Sequence, residues 1–210
     1  MSTARIDHIT TSGTFSLDGQ THEVDNNVWV VGDEHECVII DAPHDAEAIA
    51  DLVGGRRVRA ILASHAHDDH VRMAPKLAEL LDAPIRLHPD DLVLWRMTHP
   101  ERQPDGELAD GQQIEIAGIT LRVLHTPGHA PGAVCFHTPE LGAVLTGDTL
   151  FAGGPGATGR SYSDFNVIVE SIRTRLLTLP EDTTVHPGHG GTTTVGDEKP
   201  HVQEWIRRGH

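Results

Sequence analysis

The chain has little cysteine. Only two of its 210 residues, Cys37 and Cys135, are of that type. Each lies in an apolar run (CVII and AVCF) and no CxxC pair occurs, so both read as buried free thiols rather than as disulfide partners or metal ligands. Cations are scarce as well: 16 Lys and Arg stand against 31 Asp and Glu, for a formal net charge of -15 with histidine neutral. A surface of that sign repels phosphate backbones and anionic bilayers, which excludes nucleic acid and membrane as partners. Long apolar runs are missing too. None approaches membrane-spanning length, and the opening MSTARIDHITTSG holds no apolar signal core. A cytoplasmic protein is the expectation.

What is present supports one domain over residues 1–210, since that length allows a single sizeable core. The 21 glycines and 13 prolines are scattered, as suits many strand-to-loop transitions. Residues 13–41 read as strands (GTFSLDG, VDNNVWVVGD, ECVIIDAP), with Gly and Asp at their turns. A helix over 44–53 stops at Gly54 and Gly55. RVRAILAS (57–64) is a buried-type strand, and 71–81 a helix that tolerates Pro75 only in its first turn. PIRLHP is a short strand, and 90–97 a helix. The polar stretch 99–111 reads as a mobile insert. Strands follow at QQIEIAG, ITLRVLH, AVCFHTP and GAVLTGD, then a helix over 164–179, the strand TTVHPGHGG and a closing helix over 200–208. In each half a strand ends on aspartate, Asp41 in VIIDAP and Asp148 in VLTGD, a faint sign of duplication.

Histidine is the anomaly, with 16 in the chain. SHAHDDH (64–70) packs three of them and two aspartates beside a buried strand. Asp68 or Asp69 could cap the following helix. His65 and His67, two apart in a sharp loop, can converge on one ion, while Asp69 and His70 can face a second. Three further stretches place metal-ligand types at strand-to-loop junctions: His129 in LHTPGHAPGA, Asp148 in LTGDTLF and His189 in HPGHGG. Each alone is weak; the four in this order are specific.

The series HAHDDH, TPGHAPG, TGDT and PGHG resembles the metallo-β-lactamase-fold hydrolases, whose pattern is His-x-His-x-Asp-His, His, Asp, His. The resemblance covers roughly residues 13–195. It implies an α/β fold, a four-layer αβ/βα sandwich of two mixed sheets flanked by helices. It also implies two divalent metals, one on His65, His67 and His129 and one on Asp69, His70 and His189, with Asp148 bridging. Asp69 and Asp148 then serve catalysis, and Asp68 is a spacer. Imidazole and carboxylate without thiolate suit zinc, with iron and manganese as alternatives. Two ions sharing a carboxylate can hold a bridging water as hydroxide near neutral pH, for attack on a polarised carbonyl. Asp41 is the candidate for holding a ligand imidazole from behind; His125 and His186 read as structural.

Within that superfamily, GDTLFAGGPGATGRSY (147–162) is similar to the glyoxalase II branch, which hydrolyses S-acyl thioesters of small thiols. In that branch a basic residue and an aromatic bind the thiol half, and Arg160 and Tyr162 hold the matching places after a turn three residues longer. A thiolate leaves without a strong general acid, which fits a site showing none. The branch's C-terminal helical domain has no counterpart in the 21 residues after His189, so the thiol stays open and 99–111 becomes a candidate pocket wall. Rival readings are a mono-iron persulfide dioxygenase or a lactonase of the same fold, and a non-catalytic metal sensor.

Overall fold

The structure, a computed structural model, describes residues 3–209. Two long strands open the chain, β1 (Arg5–Leu17) and β2 (Gln20–Gly32), joined by a tight turn at Asp18 and Gly19. Both turn residues have positive φ (52° and 74°), the geometry that Asp-Gly supplies most readily in a hairpin. The first half of β1 escapes the sequence reading because it is an edge strand. Its side chains are mostly exposed or half-buried, so no clean alternation marks it.

The hairpin begins a six-stranded sheet that continues through β3 (Glu36–Ile40), β4 (Arg57–Leu62), β5 (Ile85–Leu87) and β6 (Gly106–Glu107). The second sheet runs in the spatial order β14, β13, β10, β9, β8, β7. Its members are β7 (Gln113–Ile116), β8 (Ile119–His125), β9 (Val134–Thr138), β10 (Ala143–Gly147), β13 (Thr184–Pro187) and β14 (Thr193–Thr194). A two-stranded ribbon, β11 (Leu150–Phe151) and β12 (Gly154–Pro155), follows β10.

The period-two pattern of the strands sorts the core into three apolar layers. Val28, Val30, Ile39 and Ile61 face α1 (Ala46–Val53), α3 (Ala74–Leu81) and α4 (Leu92–Thr98), through Ile49, Leu77 and Trp95. Their strand neighbours Trp29, Val31, Val38 and Ile40 turn inward and meet Leu121, Val123, Phe136 and Leu145 of the second sheet. On the far face, Leu124, Val144 and Val185 pack on α5 (Phe165–Ser171) and α7 (Val202–Arg208) through Ile168 and Trp205. The result is the αβ/βα sandwich of two mixed sheets flanked by helices. Strands buried on both faces explain the uninterrupted VWVV and CVII. Cys37 and Cys135 are buried and free, in different layers, and burial pushes both thiols up to about 11.

Three local expectations change. The helix over 71–81 is two pieces, α2 (Asp68–Val71) and α3, and the chain restarts at Ala74 so that Pro75 sits in a first turn. The helix over 164–179 is α-helical only to Ser171 and continues as a π-helical turn over Ile172–Leu176. The stretch 99–111 is tied down. Trp95 Nε1 donates to the Arg102 carbonyl, Arg102 forks onto Asp105, Asp105 accepts from Ile85 N–H, β6 extends the sheet and Leu108 is buried. The short α6 (Val195–Glu198) precedes α7. Among the described residues no helix is long and apolar enough to cross a membrane.

Candidate metal centre

Four strands of the two sheets end at one place. The loops after β4, β8, β10 and β13 carry His65 and His67, His129, Asp148, and His189, while α2 carries Asp69 and His70. The sandwich thus converts four distant motifs into one cluster, buried except at His189, which is partly open.

The cluster is two triads. His65 Nε2 and His129 Nε2 each lie 3.0 Å from His67 Nδ1. His70 Nε2 lies 3.2 Å from His189 Nε2, and Asp69 Oδ2 is 3.6 Å and 3.4 Å from those two nitrogens. Asp148 spans them: Oδ1 is 3.3 Å from His70 Nε2, while Oδ2 is 3.3 Å from His189 Nε2 and 3.6 Å from His129 Nε2. Gly188 allows this approach, because a Cβ there would fall 2.3 Å from Asp148 Oδ1.

The far nitrogens decide which lone pairs face inward. His129 Nδ1 donates to the Ala157 carbonyl at 2.8 Å and His189 Nδ1 to the Asp25 carbonyl at 2.7 Å. His70 Nδ1 donates to Asp41 Oδ2 at 2.8 Å. Ser64 Oγ donates to the same carboxylate oxygen at 2.7 Å and so accepts from His65 Nδ1 at 3.1 Å. Asp41 therefore orients one imidazole of each triad, one directly and one through Ser64. Asp69 is held in turn by Asn26, whose Nδ2 donates to Oδ2 at 3.0 Å while its Oδ1 accepts from His44 Nε2 at 2.8 Å.

Electrostatics divide the triads. Burial holds His65 well below its ordinary value, pushes His67 down to about 3, and lowers His129. These are neutral imidazoles with free lone pairs. Burial would lower His189 and His70 as well, but Asp148 and Asp69 overcome it, raising His189 to about 10 and His70 well above its usual range. Burial alone would raise the two carboxyls; instead His70 and its neighbours hold Asp69 at about 2 and Asp148 well below the carboxylate range.

This donor set fits two divalent metals. One triad offers three neutral nitrogens, the other two nitrogens and a carboxylate, and no thiolate is near. Asp148 Oδ1 is buried without a hydrogen bond, as is His67 Nε2 on the side of that ring away from the inward Nδ1.

Above the triads opens a cavity of about 140 Å³ walled by Phe15, Val24, Ala157, Arg160, Ser161 and Ser163. The Arg160 guanidinium stacks on Phe15, 4.8 Å from the ring centroid, and Asp18 at the hairpin tip accepts from Ser161 N–H at 3.0 Å. Arg160 thus reaches the site and Tyr162 does not. The longer turn leaves Tyr162 exposed, with φ at 70°, and off the cavity wall. Residues 99–111 do not wall the cavity either, being pinned along β5 on the far edge of the first sheet. Asp68 faces away from the two triads: its Oδ1 accepts from Ser16 N–H at 3.0 Å and its Oδ2 pairs with Arg72, closing the outer edge of β1.

Phe15, Asn26, His44 and Ser64 were not foreseen. One signal could have found Asn26: DNN interrupts a strand whose next residues are VWVV, and amides in a buried strand need a reason.

The sequence profile described as the metallo-beta-lactamase superfamily matches residues 23–189. The chain is 32% identical over 187 residues to the hydroxyacylglutathione hydrolase GloC of Haemophilus influenzae, covering 82% of this chain and 87% of that one. Among solved structures it is similar to TTHA1623 in a di-iron-bound form, at 36% identity and TM-score 0.75 over 84% of this chain and 93% of that one. It is also similar to the BLEG-1 B3 metallo-beta-lactamase, at 30% identity and TM-score 0.77 over 91% and 97%. With the seven ligand-type residues gathered where the two sheets meet, this chain belongs to the metallo-beta-lactamase superfamily.

Proposed function

We propose that the chain is a binuclear metal-dependent thioesterase that cleaves S-acyl conjugates of a small thiol. The observation that carries this reading is the composition of the cavity wall. Apart from Arg160, every titratable group lining it belongs to the two triads or is Asp148. No proton donor is left over for a leaving group. A thiolate, with a thiol pKa of roughly 8–9, departs without one, whereas an amine or alkoxide benefits from protonation.

In this reading His65, His67 and His129 hold one ion, Asp69, His70 and His189 the other, and Asp148 both. When bound, such ions polarise a carbonyl and make water nucleophilic near neutral pH. Zinc suits the donors, as does iron, the metal described for the similar TTHA1623 structure. Phe15 and Val24 give the acyl group an apolar wall. Arg160, stacked on Phe15 at the cavity wall, is placed to take a carboxylate of the thiol half. The hydroxyacylglutathione hydrolase name carried by the Haemophilus influenzae relative supports this substrate class.

The test is a panel of S-acyl thiols, β-lactams and lactones run on metal-quantified protein, with oxygen uptake on a persulfide alongside. Thioester turnover with two metals per chain supports the proposal. Turnover of β-lactams alone, or oxygen uptake with one iron, overturns it.

A further inference from the structure

Asp91 belongs to neither triad, yet it is completely buried. It closes the short turn Pro89–Asp91 ahead of α4. A carboxylate in such a place is costly unless its oxygens are used. Here both are used, and by different loops. Oδ2 accepts from Ala66 N–H at 2.7 Å, and Oδ1 accepts from Gly132 N–H.

Those two amides are not arbitrary. Ala66 lies between His65 and His67 in the loop after β4 of the first sheet. Gly132 lies three residues after His129, in the loop between β8 and β9 of the second sheet. Each amide is therefore within three residues of a ligand-type histidine of the first triad, and Asp91 crosses from one sheet's loop to the other's. The approach is close enough to forbid a side chain: a Cβ on Gly132 would lie 2.6 Å from Asp91 N and 2.9 Å from Asp91 Oδ1. A second tie joins the same loops, Val134 N–H donating to the Ser64 carbonyl at 2.8 Å. Nothing equivalent from Asp91 reaches Asp69, His70 or His189.

We propose that Asp91 is the positioning residue of the first triad, its two oxygens setting the distance between the His65–His67 loop and His129. The inference rests on reading that triad as a metal site. It also assigns Gly132 its purpose, which is to let the loop amide reach the carboxylate. An asparagine is nearly the same size but offers one acceptor, and its NH2 group would face an N–H on the other side. Asp91→Asn therefore frees one loop while keeping the volume filled.

The experiment measures Zn²⁺ affinity by chelator competition on the full chain, one triad at a time. In a His189→Ala background, which leaves the first triad whole, Asp91→Asn is expected to weaken Zn²⁺ binding on the order of tenfold or more. In a His129→Ala background, which leaves the second triad whole, the same change should stay within about threefold. Unchanged affinity at the first triad, or an equal fall at both, would overturn the inference in favour of general packing. If Asp91→Asn does not fold by circular dichroism, Gly132→Ala displaces the same contact from the other side, and the same two outcomes decide. Absence of Zn²⁺ binding in the otherwise unaltered chain would instead remove the metal reading, and the inference with it.

Discussion

Asp41 Oδ2 lies 2.8 Å from His70 Nδ1, and Asp148 Oδ1 lies 3.3 Å from the Nε2 of the same ring. Asp41 directly follows β3 of the first sheet and Asp148 directly follows β10 of the second, so the imidazole is clasped by one acid from each sheet. Asp41 fixes the Nδ1 proton and Asp148 shares the space into which the Nε2 lone pair points. Through Ser64 the same Asp41 also fixes His65, so a single side chain orients both triads.

Asp41→Asn tests that arrangement cleanly. Asp41 has φ at 65°, a region that asparagine enters as readily, so the backbone is spared. Asn supplies one acceptor where Ser64 N–H, Ser64 Oγ and His70 Nδ1 need two oxygens. Both triads should lose metal affinity by about 10- to 100-fold, read by chelator competition. An unchanged affinity would show that the ring orientations are set elsewhere.

Asp148 and Asp68 separate in the same assay. Asp148 faces three nitrogens of the two triads, so Asp148→Ala should lose both metals and all turnover. Asp68 meets only Ser16 N–H and Arg72, at the outer edge of the hairpin. Asp68→Ala should keep both metals and full turnover, with a stability loss of about 1 kcal/mol by thermal melting. Wild-type turnover in Asp148→Ala would overturn its bridging role.

Much of this was legible in the sequence because the ligand types stand at strand ends, where a loop leaves them exposed to one another. HAHDDH, TPGHAPG, TGDT and PGHG needed only the fold to converge. The groups around them were not legible, because their partners are backbone atoms of loops far away in sequence. Asp91 in HPDD reads as the start of a helix, and its distant amides, Ala66 and Gly132, carry no side-chain signal. The carbonyls of Asp25 and Ala157 that hold His189 and His129 are equally silent. Tyr162 missed the cavity because register across the long glycine-rich turn depends on its path, which composition does not specify. Residues 99–111 looked mobile from polarity alone; the buried Leu108 and the Arg102–Asp105 pair tie them down.

His186 gives the metal-free protein a pH dependence. Burial pushes its imidazole down to about 4, its Nδ1 has no partner, and it meets Trp29 edge-on with ring centroids 4.6 Å apart. Between about pH 6.5 and 4 the unfolded chain binds a proton here and the folded chain does not. The contribution of His186 to stability must therefore fall as pH drops through that window and stay flat above it. The effect is no more than about 2 kcal/mol, since the ring is only partly shielded from solvent. The Tm of the wild-type apoprotein should drop more from pH 7 to pH 4.5 than that of His186→Asn. Parallel curves would assign the acid sensitivity to other groups.

Arg160 is the residue on which the substrate reading can be probed directly. Its guanidinium rests 4.8 Å from the Phe15 ring centroid on the wall of the cavity that His67 and His129 also line, outside both triads. In the proposed reading, a group so placed would contact the part of the substrate that does not react, in the ground state and the transition state alike. Removing it should raise KM while leaving kcat nearly unchanged. A charge-assisted hydrogen bond to a carboxylate contributes about 1.5–3 kcal/mol, so Arg160→Gln should lower kcat/KM by roughly 10- to 100-fold for a thioester whose thiol half carries a carboxylate. A thioester whose thiol half lacks one should be hydrolysed by both proteins at similar rates. Metal content serves as the control and should be identical in the two proteins. Equal losses on both substrates would remove Arg160 from carboxylate recognition and leave it as a prop for Phe15.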